Sequence, residues 1–294
     1  MLKINKIKEQ VRVLLSLMRM RNCIIAFFGV LLGASFISFS DILTFNVILA
    51  GTAVFLITGA GNTINDYFDY EIDKINKAHR PIPSNRISRS DALMFSVTLF
   101  FIGWGLSKYI RDYSDCCLWI AVFNSIVLML YGKYSKRLHV LSNLSISYLV
   151  ASIFVFGALA NFDAGIIELD KFRLIAVMSA CAFFATLSRE VIKDIEDVEG
   201  DRREYSVTLP IKIGVKQSKN IALISVLAAV ILSIYPFFMN LEFDLVFYGI
   251  LILIADLTFL ISLTTHPALG QRLMIIGMTI ALLAFFVGRL GILF

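Results

Sequence analysis

Residues 62–83 read NTINDYFDYEIDKINKAHRPIP, and they follow directly on the apolar run GTAVFLITGAG at 51–61. Asp66, Asp69, Glu71 and Asp73 fall within eight positions of one another. An aspartate at the centre of a membrane span costs about 2.5–3.5 kcal/mol on insertion scales, so such residues are usually functional. Acids at the end of this run need compensating charge.

The rest of the chain shows why the run reads as a membrane span. Of its 294 residues, 58% are hydrophobic and only 17% charged, which lies outside the usual composition of a soluble domain. Apolar stretches recur at about 23–40, 46–64, 91–107, 116–131, 141–160, 172–189, 220–239, 245–264 and 272–293, on the scale needed to cross a hydrocarbon core of about 30 Å. They predict an all-α polytopic membrane protein, with nine transmembrane helices and one domain over residues 1–294. Residues 1–22, MLKINKIKEQVRVLLSLMRMRN, mix basic and apolar side chains at helical spacing. They read as an amphipathic helix on the membrane surface, since the apolar core and cleavage site of a signal peptide are not evident.

Basic residues predict the orientation. With the N-terminus placed inside and the spans alternating, 22 of the 27 lysines and arginines fall on the inner side and five on the outer. Such an excess marks the cytoplasmic face, so the C-terminus is expected outside. The polar segments 62–91, 131–140 and 189–219 then form a cytoplasmic cap. The net charge of +5 becomes a one-sided basic face suited to anionic headgroups or phosphorylated substrates. No nucleic-acid-binding module is visible, and no protein partner is implied. Cys23, Cys116, Cys117 and Cys181 have no metal-ligand spacing and read as packed thiols. His79, His139 and His266 are widely separated and do not suggest a zinc site.

The acidic pattern occurs twice. Asp66, Asp69 and Asp73 make D-x-x-D-x-x-x-D, and Asp194, Asp197 and Asp201 repeat it at an offset of 128 residues. Asn62 aligns with Glu190 at the same offset, and a proline follows each copy, at 81 and at 210. At about 100° per residue, Asn62, Asp66, Asp69 and Asp73 share one helical stripe. Four spans separate the copies, so both stripes end on the same side of the membrane. Two facing stripes of carboxylate repel unless cations lie between them. Mg²⁺ prefers oxygen ligands and is commonly held by carboxylates together with substrate phosphates. The pair therefore reads as a Mg²⁺–diphosphate site. Lys74, Lys77 and Arg80 flank the first copy and Lys193, Arg202 and Arg203 the second, while Lys133, Lys136 and Arg137 share a face if their loop is helical.

These motifs resemble those of the UbiA-type intramembrane prenyltransferases, whose first signature is N-D-x-x-D-x-x-x-D and whose second is D-x-x-D-x-x-x-D. Asn65, Asp66, Asp69 and Asp73 match the first; Asp194, Asp197 and Asp201 match the second. RPIP after the first motif, the loop at 131–137 and GDRREYSVTLP after the second extend the likeness along nearly the whole chain. The resemblance implies two Mg²⁺ ions holding the diphosphate of a polyprenyl donor, with the seven motif residues as metal ligands and the six aspartates as the catalytic set. Arg80, Lys133, Lys136, Arg137 and Lys193 are expected on the diphosphate. Arg19 and Asn22, which look like the R-x-x-N of the family's first span, are expected on the acceptor side, with Asn62 and Asn143 as further candidates. The wording INDYFDYEIDKIN and REVIKDIEDVEGD is most similar to the archaeal branch that makes digeranylgeranylglyceryl phosphate. That branch implies geranylgeranyl diphosphate as donor and geranylgeranylglyceryl phosphate, a phosphorylated glycerol ether, as acceptor. It also leads one to expect a glycine where Asn85 stands. Aromatic acceptors, as in quinone synthesis, are the alternative. A transporter is a remote one, because transporter carboxylates tend to lie near the bilayer midplane at broken helices.

Overall fold

The structure is a computed structural model that describes the chain apart from residues 1, 39, 111–113, 135–138, 163–168, 204–206, 240–243 and 291–294. Among the described residues every regular element is helical: α1 (Leu2–Met18), α2 (Met20–Ser35), α3 (Phe45–Phe68), α4 (Tyr70–Asn76), α5 (Arg89–Lys108), α6 (Ser114–Tyr134), α7 (His139–Asn161), α8 (Leu169–Glu196), α9 (Val198–Arg203), α10 (Leu209–Ile213), α11 (Val215–Ser233), α12 (Leu245–Thr264) and α13 (Pro267–Leu290), with a 3-10 turn at Tyr235–Phe238. Eight helices are long and apolar enough to cross a membrane, and the bent pair α1–α2 makes a ninth if it counts as one span. The nine-helix expectation holds in that form.

The helix ends depart from the apolar runs where polar side chains find partners. α8 continues to Glu196, beyond the expected end near 189, because its last turns carry part of the second acidic motif. The first span begins earlier than expected. Its two arms meet at 59°, and the break is Arg19, whose backbone is left-handed at φ 53°. Asn62 Nδ2, in α3, donates to the Met18 carbonyl at 2.8 Å, satisfying a group at the break. Along α1, Ile7, Val11 and Leu15 are exposed at a spacing of four, while Val13 and Leu17 pack inwards. That stripe suits a lipid surface.

Helices pack closely where glycine permits it. Between α2 and α7 the contact is backbone to backbone: a Cβ on Gly33 would lie 2.1 Å from the Phe154 carbonyl oxygen, and one on Gly157 would lie 2.1 Å from the Val30 carbonyl oxygen. Small residues at membrane helix crossings serve this close approach. Asn161 Nδ2 donates to the Ala34 and Ser38 carbonyls at 3.0 Å each, closing the far end of α2 onto α7. A second anchor holds the 77–88 loop near the motif. Ile82 is buried beside Leu17 and Ala92, and Ser88 Oγ caps α5 by accepting from the Asp91 amide at 3.0 Å. Asn85, at the position expected to be glycine, has φ 57°. Asparagine is among the few side chains that tolerate that region.

Gly157→Ala should destabilise the detergent-solubilised protein by about 1–3 kcal/mol, as overpacking does, and should lower its melting temperature. Gly105→Ala, where an added Cβ meets nothing within 4 Å, should leave the melting curve unchanged. Equal melting of both variants would show that the α2–α7 crossing yields freely.

Candidate functional site

The first acidic motif lies where α3 passes into α4. Asp69 occupies the junction, yet helical hydrogen bonding runs through it: its amide donates to Asn65 O at 2.9 Å, and the Asp73 amide donates to Asp69 O at 2.8 Å. The expected stripe therefore survives a break in the helix. The second motif has the same construction. Asp197 lies between α8 and α9, its amide donates to Lys193 O at 3.0 Å, and the Asp201 amide donates to Asp197 O at 2.9 Å.

The compensating charge that the first motif demands comes from two arginines. Arg19 Nη2 donates to Asp66 Oδ1 at 2.6 Å, and Arg80 Nη1 donates to Asp66 Oδ1 at 3.1 Å and to Asp73 Oδ2 at 2.5 Å. Asp66 and Asp73 are both buried, at 4% and 3% exposure, so an unpaired charge on either would be costly. Asn65 Nδ2 donates to Asp69 Oδ2 at 3.0 Å. Arg89 stacks over the Tyr67 and Tyr70 rings, tying the start of α5 to the motif.

The second motif is held differently. Asn143 Nδ2, from α7, donates to Asp194 Oδ2 at 2.8 Å. Buried Glu190, one turn before Asp194, pairs with Arg189. Asp197 is exposed, and Gln271 donates to Glu196. Between the two motifs stands Tyr131 of α6, whose charged neighbours include Glu190, Asp69, Arg19 and Asp194. Both acidic stripes thus converge on one ring. Tyr131 drew no individual attention in the sequence because an aromatic at the end of an apolar run is ordinary.

Arg19, Asp66, His79, Arg80, Pro81 and Arg86, with Ser16, line a cavity of about 240 Å³ beside the first motif. Arg86 is fixed there by donating to the His79 carbonyl at 2.6 Å and to Ser84 Oγ at 3.0 Å. Of the expected site residues, the tertiary structure brings Arg19 and Arg80 to Asp66 and brings Asn143 to Asp194. Asn62 serves the backbone of α1, and Asn22 is exposed. Lys133 and Lys193 are exposed, and Lys136 and Arg137 lie outside the described residues. His79 and Arg86 join the site through the fold of the 77–88 loop, which helical periodicity could not foresee. Asp256 is a further acid that the sequence reading passed over, although it interrupts the apolar run LVFYGILILIADLTFLISL. It lies in α12, where Ser233 Oγ donates to its Oδ2 at 2.8 Å.

Comparison with known proteins gives the family. The digeranylgeranylglyceryl phosphate synthase of Methanosarcina mazei is 38% identical over 302 residues, covering 95% of this chain and 98% of that protein. The protein of the same name from Methanococcus maripaludis is 39% identical over 285 residues, covering 93% and 96%. A solved structure from work on digeranylgeranylglyceryl phosphate synthase in membranes superposes with a TM-score of 0.84 at 36% identity, over 96% of this chain and 99% of that one. A UbiA homologue from Archaeoglobus fulgidus bound to DMAPP and Mg²⁺ shares the fold, with a TM-score of 0.67 at 16% identity over 94% and 98%. The UbiA prenyltransferase family model matches residues 23–283. This chain belongs to the UbiA prenyltransferase family and is a multi-pass membrane prenyltransferase.

Proposed function

We propose that the protein transfers a geranylgeranyl group from geranylgeranyl diphosphate to the free hydroxyl of geranylgeranylglyceryl phosphate, making the second ether bond of an archaeal lipid precursor. The observation that carries this reading is the cavity beside the first motif, where Arg19 and Arg86 stand in addition to Arg80, with Asp66 also in the wall. A diphosphate between the acidic motifs already concentrates negative charge there. A second anion nearby is repelled by about 4 kcal/mol per pair of unit charges at 4 Å and an effective dielectric near 20. Cations beyond those serving the donor therefore favour an acceptor that carries its own phosphate. The likeness to synthases of that name along nearly the full chain supports the same choice.

The residues fit Mg²⁺. The motifs offer carboxylate and amide oxygens, a donor set expected where substrate phosphate completes the coordination. Asn65 and the six motif aspartates would hold two ions. Bound there, Mg²⁺ takes up negative charge developing on the leaving diphosphate. Arg80 and Lys193 assist by hydrogen bonding and charge, joined by Lys133, Lys136 and Arg137 of the 131–140 loop. In the reaction the bond between C1 and the diphosphate oxygen breaks with its electron pair on the leaving diphosphate, the acceptor oxygen bonds to C1, and the hydroxyl proton passes to the departing diphosphate or to Asp66. Arg19, with Asn22, holds the acceptor at the mouth, and the surrounding apolar spans keep the allylic cation from bulk water. The excess of basic residues supports a cytoplasmic mouth and N-terminus and an outer C-terminus.

Asp69→Ala and Asp197→Ala should each lower transfer at least a hundredfold while the melting temperature changes little, and excess EDTA should arrest the wild-type protein. Full turnover by either variant or in EDTA would overturn the metal assignment.

Arg19→Ala should raise the KM for geranylgeranylglyceryl phosphate about tenfold or more, as for a lost charge-assisted hydrogen bond of about 1.5–3 kcal/mol, with little change for the donor. A rise in the donor KM instead would assign Arg19 to the diphosphate. Equal use of a hydroxybenzoate would favour the aromatic alternative.

Orientation is checked by labelling. In a Cys116→Ser background, a membrane-impermeant maleimide should reach Tyr109→Cys in intact cells, and Lys77→Cys only after the membrane is opened. The reverse pattern would invert the topology.

A further inference from the structure

Deep in the second half of the bundle, far from the acidic mouth, a cavity of about 60 Å³ lies among α7, α8, α11, α12 and α13. Its wall is apolar except at Cys181, Ser233 and Asp256, and Phe285 lines it as well. Two independent helices give its depth. Cys181 precedes Asp194 by thirteen residues of α8, about 20 Å at the helical rise. On α13, a Cβ at Gly270 would lie 3.5 Å from Ile192 Cγ2, which sets that glycine level with the second motif. Phe285 follows Gly270 by fifteen residues, about 22 Å along the axis.

A geranylgeranyl group has a main chain of sixteen carbons. Fully extended, its fifteen bonds cover about 18 Å at the advance of roughly 1.2 Å per bond of an extended chain. With C1 just below a diphosphate held at the motifs, the last carbons reach the level of this cavity. The void is confined, and Phe285 stands among the side chains of its far wall.

The far wall is rigid. Phe285 is 2% exposed and makes edge contacts with Phe36 and Tyr248, with ring centroids 6.1 and 5.2 Å apart. Tyr248 is fully buried, and its hydroxyl donates to the Ser233 carbonyl at 2.7 Å. The hydroxyl of the same serine donates to Asp256. The polar cluster thus has a use inside the membrane: it clamps Tyr248, which in turn holds Phe285. Aromatic packing alone would let the ring swing aside for a longer chain, whereas a clamped neighbour resists that.

Resting on the prenyl-transfer reading above, we propose that Phe285 is the floor of the donor-chain pocket and sets its C20 length, with Tyr248, Ser233 and Asp256 as positioning residues behind it. The test compares kcat/KM for C15, C20 and C25 prenyl diphosphates with one acceptor. Phe285→Ala should raise the C25-to-C20 ratio at least fivefold over wild type. Ala182→Phe, which fills the cavity from α8, should raise the C15-to-C20 ratio by a similar factor. Ratios within twofold of wild type for both variants, or loss of transfer from all three donors in both, would overturn the floor assignment. These ratios do not depend on which acceptor is used. A wild-type protein that prenylates another acceptor would therefore refute the proposed function and leave this inference to be decided by its own ratios.

Discussion

Carboxylates at the end of an apolar span are stable only when their charge is shared, and here the sharing is done by Arg19 and Arg80 on Asp66 and Asp73. Much of the local architecture follows from that requirement. Arg19 reaches Asp66 from a break between two helices, which leaves the Met18 carbonyl for Asn62 to satisfy. Arg80 reaches both acids because Ile82 pins its loop against α1 and α5. The site is thus preorganised by the same contacts that make its charges tolerable in a membrane. The guanidinium groups hold the carboxylates in place and line a cavity of about 240 Å³.

The two acidic motifs share a backbone construction but differ in what surrounds them. The first is neutralised by arginine, and the second is held at Asp194 by the amide of Asn143, which brings no charge. Charges of both motifs act on Tyr131 of α6.

Membrane burial places polar groups under the same rule wherever they occur. Asp256 has the hydroxyl of Ser233, and Ser233 in turn ties down Tyr248. At the first acidic motif the polar network neutralises carboxylates; in the middle of the bundle it ties Asp256, Ser233 and Tyr248 together. Both roles use the cost of leaving a buried polar group unpaired, which makes alternative arrangements of the neighbouring side chains unfavourable.

The sequence by itself determined the class of protein, the approximate spans and the two aspartate stripes. Those properties depend on local composition and on the period of one helix, which a single chain displays without reference to its neighbours. The family resemblance, by contrast, led to a glycine being expected where Asn85 stands, and the structure shows positive φ there. Only the tertiary structure decided which cation meets which carboxylate: Arg19 and Asp66 are 47 residues apart, and Asn143 and Asp194 are 51 apart. It also decided that Asn62 serves a backbone carbonyl, that Gly33 and Gly157 let α2 and α7 touch, and that Phe285 closes the cavity. The physical reason lies in the solvent. Lipid is as apolar as the helix surfaces, so hydrophobicity places helices in the membrane without choosing their partners. That choice is left to close packing and to buried polar pairs between segments distant in sequence.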